Sequence, residues 1–349
     1  MPVITVLGEV NKEDLGIISS HEHVLINSGR SYLNSEITEV SKLSLFNQKV
    51  NISNLHELKF NALAIGDNLI LDDIDMAVKE LMEFKKFGGN TLVDLTNDYM
   101  GRDPIALQNI SRITGLKIIT CTGHYIHSLY PPYIKNKNEF EISKIMIREI
   151  KVGIGDSDIR AGVIGEIGTS KEIHLEEKKV LKACALAQIE TGATIFVHTW
   201  PWSINGLEII NILKEIGADL KKVVICHIDG QINIDYYKKI MESGAYVEFD
   251  MFGKDFGQIY DGKYYIAVSD IERINAIWNL ININKSYLKQ ILVATDRCLK
   301  MELTSYGGFG YAHILKNIIP LMREKGFSSS QINYLISENP KNVLNVQNR

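Results

Sequence analysis

Short apolar runs rich in β-branched residues alternate with longer amphipathic stretches along almost the whole chain. Eight such runs occur, at 15–20, 90–95, 116–121, 161–166, 193–198, 222–227, 245–250 and 291–296. Segments with the apolar spacing of helices lie between and after them, at 72–87, 139–151, 174–191, 205–216, 233–243, 268–280 and 309–325. Strands that alternate with helices predict βαβ units and a parallel sheet.

Eight βα units close a (β/α)8 TIM barrel, and a chain of 349 residues is long enough to form one. An open, doubly wound sheet is the alternative, but the sequence has neither common Gly-rich nucleotide-binding motif. No Ser/Gly/Pro-rich linker interrupts the alternation, so residues 1–349 are predicted to form one domain. The long segments 24–70 and 251–267 are expected to lie over the barrel mouth. A last helix is expected to begin after Ser328 and to end at Pro340.

Composition and charge exclude several classes of partner. The formal net charge is −4, so the chain has no basic excess to neutralise phosphates, and we expect no nucleic-acid partner. No run approaches the roughly 18 apolar residues of a membrane span. The first residues also lack the basic segment followed by an apolar segment that is typical of a secretory signal. We therefore predict no membrane partner and a cytoplasmic location. The four cysteines show no C-x-x-C pairing and are expected to be reduced thiols.

Metal-ligand side chains stand at the ends of five of the predicted strands. They are His21 and His23 at the first, Glu166 at the fourth, His198 at the fifth, His227 at the sixth and Asp296 at the eighth. In a barrel these ends meet on one face, and residues two apart on a strand point the same way. Neutral imidazoles suit zinc, and a carboxylate can bridge two metals.

Each of these residues also has an ordinary explanation when taken alone. The H-x-H pair fits an exposed edge, His198 and His227 fit hydrogen-bonded core histidines, and Asp296 fits a helix N-cap. Five strand ends would then need five separate explanations. We therefore predict a site for two divalent metal ions, Zn²⁺ before Mn²⁺ or Co²⁺.

Longer motifs carry a resemblance that covers nearly the whole chain. They are SHEHV at 20–24, GEIGTS at 165–170, HTW at 198–200, GLEIINIL at 206–213, CHID at 226–229, YVEFDMFG at 246–253, TDR at 295–297, YGGFGYAHIL at 306–315 and ENP at 338–340. With these motifs the chain resembles the phosphotriesterase family of the amidohydrolase superfamily, and most of all its phosphotriesterase-related proteins.

The resemblance implies a role for each candidate ligand. His21, His23 and Asp296 would hold the more buried metal, and His198 and His227 the more exposed one. Glu166 would bridge the two, where better-known members have a carbamylated lysine. The resemblance also implies a homodimer.

The ligand set predicts hydrolysis of a small-molecule substrate. Two cations sharing a water would generate a hydroxide at neutral pH. Asp296 is expected to be catalytic, taking a proton from this nucleophile and passing it to the leaving group. The predicted substrate is an ester, lactone or amide, with esters placed before amides, and anionic substrates are included. The alternatives are phosphotriesterase-type activity on phosphoesters and a non-catalytic metal-binding protein.

Five further residues follow strand ends and are predicted to line the substrate pocket. They are Tyr125, His127, Trp200, Met251 and Arg297. Arg297, together with Lys254, is expected to meet an anionic tail of the substrate.

Overall fold

The computed structural model describes residues 2–29 and 40–345, so part of the predicted segment 24–70 lies outside the described residues. Eight strands run in chain order as predicted. They are β1 (Ile17–Glu22), β2 (Gly89–Asp94), β3 (Lys117–Ile119 and Cys121–Thr122), β4 (Val163–Gly168), β5 (Ile195–His198), β6 (Val223–Cys226), β7 (Tyr246–Phe249) and β8 (Ile291–Val293).

A helix follows each strand. These helices are α1 (Ile74–Lys86), α2 (Pro104–Thr114), α3 (Glu139–Lys151), α4 (Leu175–Thr191), α5 (Gly206–Ile216), α6 (Ile234–Glu242), α7 (Asp270–Ile283) and α8 (Ile314–Ile318 with Ile319–Lys325). Smaller helices lie at Val40–Phe46, Leu55–Phe60 and Tyr133–Asn136, and a terminal helix joins Ser329–Asn333, Tyr334–Glu338 and Asn339–Leu344.

Every strand pairs with its neighbours in parallel. β1, β2 and the first part of β3 form one ladder. The second part of β3 begins another ladder, which continues through β4, β5, β6 and β7 to β8. Where β8 returns to β1, the Asp296 N–H donates to the His21 carbonyl over 3.1 Å. The predicted TIM barrel is confirmed.

Alternation along the strands separates two apolar layers. Phe196 and Val224 belong to a cluster inside the barrel, with residues such as Val93 and Leu292. Their chain neighbours Ile195 and Ile225 belong to the larger layer between strands and helices. Side chains two apart share a face, so Phe196 inside the barrel places His198 at its open end.

Two local predictions were wrong or incomplete. Helix α2 was not predicted, although Asp103 caps its N-terminus by accepting from the Ala106 N–H and Gly115 ends it in a left-handed conformation. The terminal helix does not end at Pro340 but continues to Leu344. The turn before this proline, Tyr334–Glu338, is a π-helix, whose wider backbone accommodates a residue that lacks an N–H.

Antiparallel hairpins complete the fold. Pro2–Thr5 pairs with Gly8–Asn11 before the barrel, and Gly257–Tyr260 pairs with Lys263–Ile266 within the segment after β7. Among the described residues, no helix is both long and apolar enough to cross a membrane.

Candidate metal centre

The six predicted metal ligands lie together at the carboxyl ends of the strands, with Glu166 at their centre. Its Oε1 lies 2.6 Å from His227 Nε2 and 3.0 Å from His198 Nδ1. The same oxygen is 3.5 Å from His21 Nε2, and Oε2 is 3.8 Å from His23 Nε2. One carboxylate therefore contacts all four histidines.

Asp296 joins this cluster from β8. Its Oδ1 lies 3.2 Å from His23 Nε2 and 3.7 Å from His21 Nε2. Among the described residues, three groups of donor atoms are compact enough to hold a cation: His21 with His23 and Glu166, Glu166 with His198 and His227, and His21 with Cys226, Glu248 and Asp250. The first two consist entirely of predicted ligands. Because Glu166 belongs to both groups, it is the residue able to link two cations.

Irregular strand pairing turns some of these side chains into the barrel. The β4 segment Ile164–Ile167 has one residue more than its partner segment in β5, which places a bulge beside Glu166. The pairing of β1 with β2 shifts between Ser19 and Glu22, around His21. An extra residue re-aims the side chains next to it, and such bulges are common near active sites.

Further polar groups contact the Nδ1 atoms of three of the four histidines. His23 Nδ1 lies 2.9 Å from Thr96 Oγ1. His21 Nδ1 is 3.2 Å from Glu248 Oε2, and His227 Nδ1 is 2.9 Å from Asp250 Oδ1. His21 Nε2 has no hydrogen-bond partner, although the residue is 0% exposed. A buried nitrogen with no partner, aimed at Glu166, is what a metal ligand requires.

The electrostatics of the cluster favour ionised carboxylates. Burial raises the pKa of Glu166, but the nearby charge of His198 and hydrogen bonds from His198 and His227 together outweigh burial. The pKa of Glu166 therefore lies well below its usual value. Burial also opposes ionisation of Asp296, yet Lys254 and His23 leave its pKa lowered overall. Burial lowers the pKa of His227, and Asp250 and Glu166 outweigh this effect and raise it to about 10.

Buried charge at this end of the barrel is strongly unbalanced. This imbalance involves eight of the ten buried carboxylates among the described residues, against three of the four buried cationic side chains, Lys254, Arg273 and Arg297. The eight belong to Glu22, Asp94, Glu166, Asp229, Glu248, Asp250, Asp296 and Glu302. Isolated buried charge is costly, so this negative excess needs bound cations, protonated histidines or protonated carboxylates. Burial raises the pKa of Glu22, Asp94 and Asp229. The donor types and the charge excess both fit two divalent cations.

Two of the predicted substrate residues lie where they can face the mouth. The Tyr125 hydroxyl is 3.3 Å from both ring nitrogens of His198. Trp200 packs its ring 4.5 Å from Tyr260 of the hairpin after β7, and Trp202 packs 4.7 Å from Tyr265. This aromatic cluster of Trp200, Trp202, Tyr260 and Tyr265 joins the segment after β5 to that hairpin.

The two cations that were predicted to meet the substrate are buried in the structure. Arg297 is 0% exposed, and its guanidinium donates to the Gly310 and Phe252 carbonyls. Lys254 is buried against Glu302 and Asp296, at 2.7 Å and 3.1 Å. Both cations therefore have internal partners, although Arg297 Nη1 makes no hydrogen bond. That they meet an anionic tail of the substrate stays a prediction.

His127 and Met251 have simpler environments. The His127 ring stacks on His174, with centroids 3.8 Å apart, and its backbone N–H donates to Glu177. Met251 is buried, and its backbone N–H donates to Asp229 Oδ2.

Sequence analysis missed Glu248, Asp250 and the pair of Lys254 with Glu302. Asp250 ends the seventh predicted run, so the strand-end rule that selected the other ligand types also applied to it. Glu248 stands two residues earlier, on the same face of β7.

A closed parallel barrel with histidines and carboxylates converging at its mouth defines a metal-dependent hydrolase of the TIM-barrel class. A model of the phosphotriesterase family matches residues 1–344, and the chain belongs to that family. This confirms the resemblance that the sequence motifs indicated.

Similar proteins include relatives and solved structures that span almost the whole chain. An N-acetyltaurine hydrolase of Dictyostelium discoideum is 34% identical, with 98% of this chain and 97% of the relative covered. A phosphotriesterase-related protein of Nematostella vectensis is 35% identical, with 97% of each covered. The crystal structure of a resiniferatoxin-binding protein from Rhodobacter sphaeroides superposes with a TM-score of 0.94 at 33% identity, covering 98% of this chain and 94% of that one.

Proposed function

We propose that this hydrolase cleaves the amide bond of a small N-acylated amino acid or amino sulfonate, of which N-acetyltaurine is the first to test. The relative from Dictyostelium discoideum carries that activity in its name and aligns over 98% of this chain. This support leads us to place amides before esters, the reverse of the order predicted from the sequence.

The observation that carries the hydrolytic part is the position of Glu166 among the four histidines. In this proposal His21, His23 and Asp296 would hold one divalent cation, His198 and His227 would hold the other, and Glu166 would serve both. Imidazole and carboxylate donors favour Zn²⁺. When bound, such cations supply Lewis acidity that activates a water and polarises the scissile carbonyl.

The chain's own residues then bind, orient and move protons. Asp296 Oδ1 faces the histidines, while its Oδ2 is held by Lys254 over 3.1 Å. In the proposed reaction Asp296 takes a proton from the attacking water and delivers it to the amide nitrogen as the C–N bond breaks. The second proton of the water also ends on the leaving amine, so the products are a carboxylate and a protonated amine.

Tyr125 and the aromatic cluster are proposed to act on the substrate. In this proposal the Tyr125 hydroxyl, which lies 3.3 Å from the His198 nitrogens, orients the acyl group. Trp200 and its neighbours limit the entry of water at this side of the mouth. We also propose that the enzyme is a cytoplasmic homodimer.

The deciding experiment compares two substrates that differ in one atom. N-acetyltaurine and O-acetyl isethionate share the acetyl group and the sulfonate, but one is an amide and the other an ester. We expect amide hydrolysis at a kcat/KM of at least about 10⁴ M⁻¹ s⁻¹, the lower end for efficient enzymes, and far slower turnover of a phosphotriester. Cleavage of the ester or the phosphotriester alone would overturn the amide proposal. A fully metal-loaded protein that cleaves none of them would favour the non-catalytic alternative.

Elemental analysis tests the ligand set separately from activity. The wild-type protein should hold close to two equivalents of metal, and Glu166→Ala should lose at least one because both groups share this carboxylate. An unchanged metal content in Glu166→Ala would rule out Glu166 as the link.

A further inference from the structure

Asp250 lies directly after β7, fully buried beside two of the proposed ligands. Its Oδ1 is 2.9 Å from His227 Nδ1, and its Oδ2 is 3.3 Å from His21 Nδ1. The backbone N–H of His227 also donates to this carboxylate, over 3.0 Å to Oδ2. His227 has a φ of 57°, in the left-handed region, so this contact supports a strained backbone.

The same two histidines meet Glu166 through their other nitrogens. Glu166 Oε1 lies 2.6 Å from His227 Nε2 and 3.5 Å from His21 Nε2. Asp250, His21, Glu166 and His227 thus form a closed ring in which the two imidazoles join two carboxylates. Of the two candidate metal groups that share Glu166, one contains His21 and the other contains His227.

A carboxylate that accepts a hydrogen bond from Nδ1–H fixes both the tautomer and the ring orientation of a histidine. The lone pair of Nε2 is then left for a metal, and loss of such a partner typically lowers metal affinity by about 10- to 100-fold. Asp250 has this relation to one histidine of each group.

We propose that Asp250 is a positioning residue common to both metal positions. It orients His21 for one cation and His227 for the other, so a single carboxylate sets the affinity of both. The inference rests on the metal-site part of the proposed function and is independent of which bond the enzyme cleaves.

Glu248 offers a matched control on the same strand. Its carboxylate is also fully buried and lies 3.2 Å from His21 Nδ1, but its other partners are Ser20 Oγ at 2.6 Å and Cys226 Sγ at 3.3 Å. Among the four ligand histidines, all within the described part of the chain, it contacts only His21. Glu248→Gln therefore removes a carboxylate charge beside His21 alone, whereas Asp250→Asn removes one beside both His21 and His227.

The test measures zinc release from purified protein against a graded series of chelator concentrations. We expect two release phases in the wild-type protein, both shifted by about 10- to 100-fold in Asp250→Asn and only one shifted in Glu248→Gln. A shift of one phase or neither in Asp250→Asn would overturn the inference. Fewer than two equivalents in the wild-type protein would overturn the metal site of the proposed function as well.

A second measurement needs no carboxylate variant to fold. Nitrogen-15 spectra of histidine-labelled, zinc-loaded wild-type protein report which ring nitrogen of each histidine carries the proton. Signals can be assigned as those missing from His21→Gln and from His227→Gln. We expect protonated Nδ1 in both residues, and a proton on Nε2 of either would contradict the inference. Neither readout depends on substrate, so failure of the amide proposal would leave this result interpretable.

Discussion

Individual cations at the barrel mouth take their roles from partners far away in sequence. Arg297 follows a strand end, but the carboxylate of Glu22 accepts its backbone N–H from 275 positions earlier. Lys254 meets Glu302, which also accepts the Cys298 and Leu299 N–H groups. A local pattern could predict that these two residues lie near the site. It could not predict that buried carboxylates would contact them.

Lys254 is expected to matter through Asp296, because it contacts the Asp296 carbonyl at 2.6 Å and Oδ2 at 3.1 Å. General acid–base catalysis contributes about 10²- to 10⁴-fold, so a misplaced Asp296 should lower kcat by roughly 10- to 100-fold in Lys254→Gln. KM should change much less. Lys300→Gln is the control, since Lys300 pairs with Asp67 instead. Equal kcat values for the two variants would show that Lys254 does not position Asp296.

His124 gives a pH-dependent prediction away from the metal ligands. Burial lowers its pKa from 6.5 to about 4. Between these pH values the unfolded chain binds more protons than the folded protein, so the free energy of unfolding falls as the pH falls. His124 accounts for about 3 kcal/mol of the free energy of unfolding that is lost between pH 7 and pH 4. Denaturant unfolding at pH 7 and pH 4 should show a smaller loss in His124→Gln than in the wild-type protein. Equal losses would mean that His124 titrates normally in the folded protein.

Whole elements were predictable where burial imposes a clear period. The runs at 90–95 and 193–198 predict β2 and β5 to within about two residues, because strands covered on both faces are continuously apolar. The bulges beside Glu166 and His21 were not predictable, since they depend on pairing with a neighbouring strand. The hairpin after β7 was missed although the sequence signals it: Asp261 and Gly262 stand between two β-rich runs, and both take the positive φ of a tight hairpin turn.

The hairpin supplies a prediction about the mouth. Tyr265 packs on Trp202 at 4.7 Å and on Trp200 at 5.7 Å, while its neighbour Ile266 points to the opposite face and is 67% exposed. An aromatic contact is worth about 1 kcal/mol. Tyr265→Ala should therefore shift tryptophan emission to the red and raise KM about fivefold. Ile266→Ala should change neither quantity. Unchanged emission in Tyr265→Ala would show that the aromatic cluster does not depend on this residue.

At the scale of the whole molecule, the barrel concentrates charge that no single element reveals. The sequence shows a modest net charge of −4, yet the fold gathers eight buried carboxylates against three buried cations at one end. The six strand-end ligand types could be selected from sequence because the barrel topology assigns their common location in advance. Glu248 and Glu302 could not be selected from sequence, because only the closed barrel brings their carboxylates to this cluster of buried charge.

This charge excess predicts that metal removal weakens the entire fold. A cation that binds only the folded state stabilises it by about 2.7 kcal/mol when free metal is a hundred times its dissociation constant. Two such sites in a domain of this size should raise the Tm on the order of 5 to 10 °C. Thermal unfolding of zinc-loaded protein before and after chelation should show this loss, with elemental analysis to confirm that the metal is gone. The chelation-dependent shift should be smaller in Glu166→Ala, because that variant starts with less metal. If the Tm of the wild-type protein stayed unchanged after complete metal removal, protonation of the histidines and carboxylates alone would balance the buried charge.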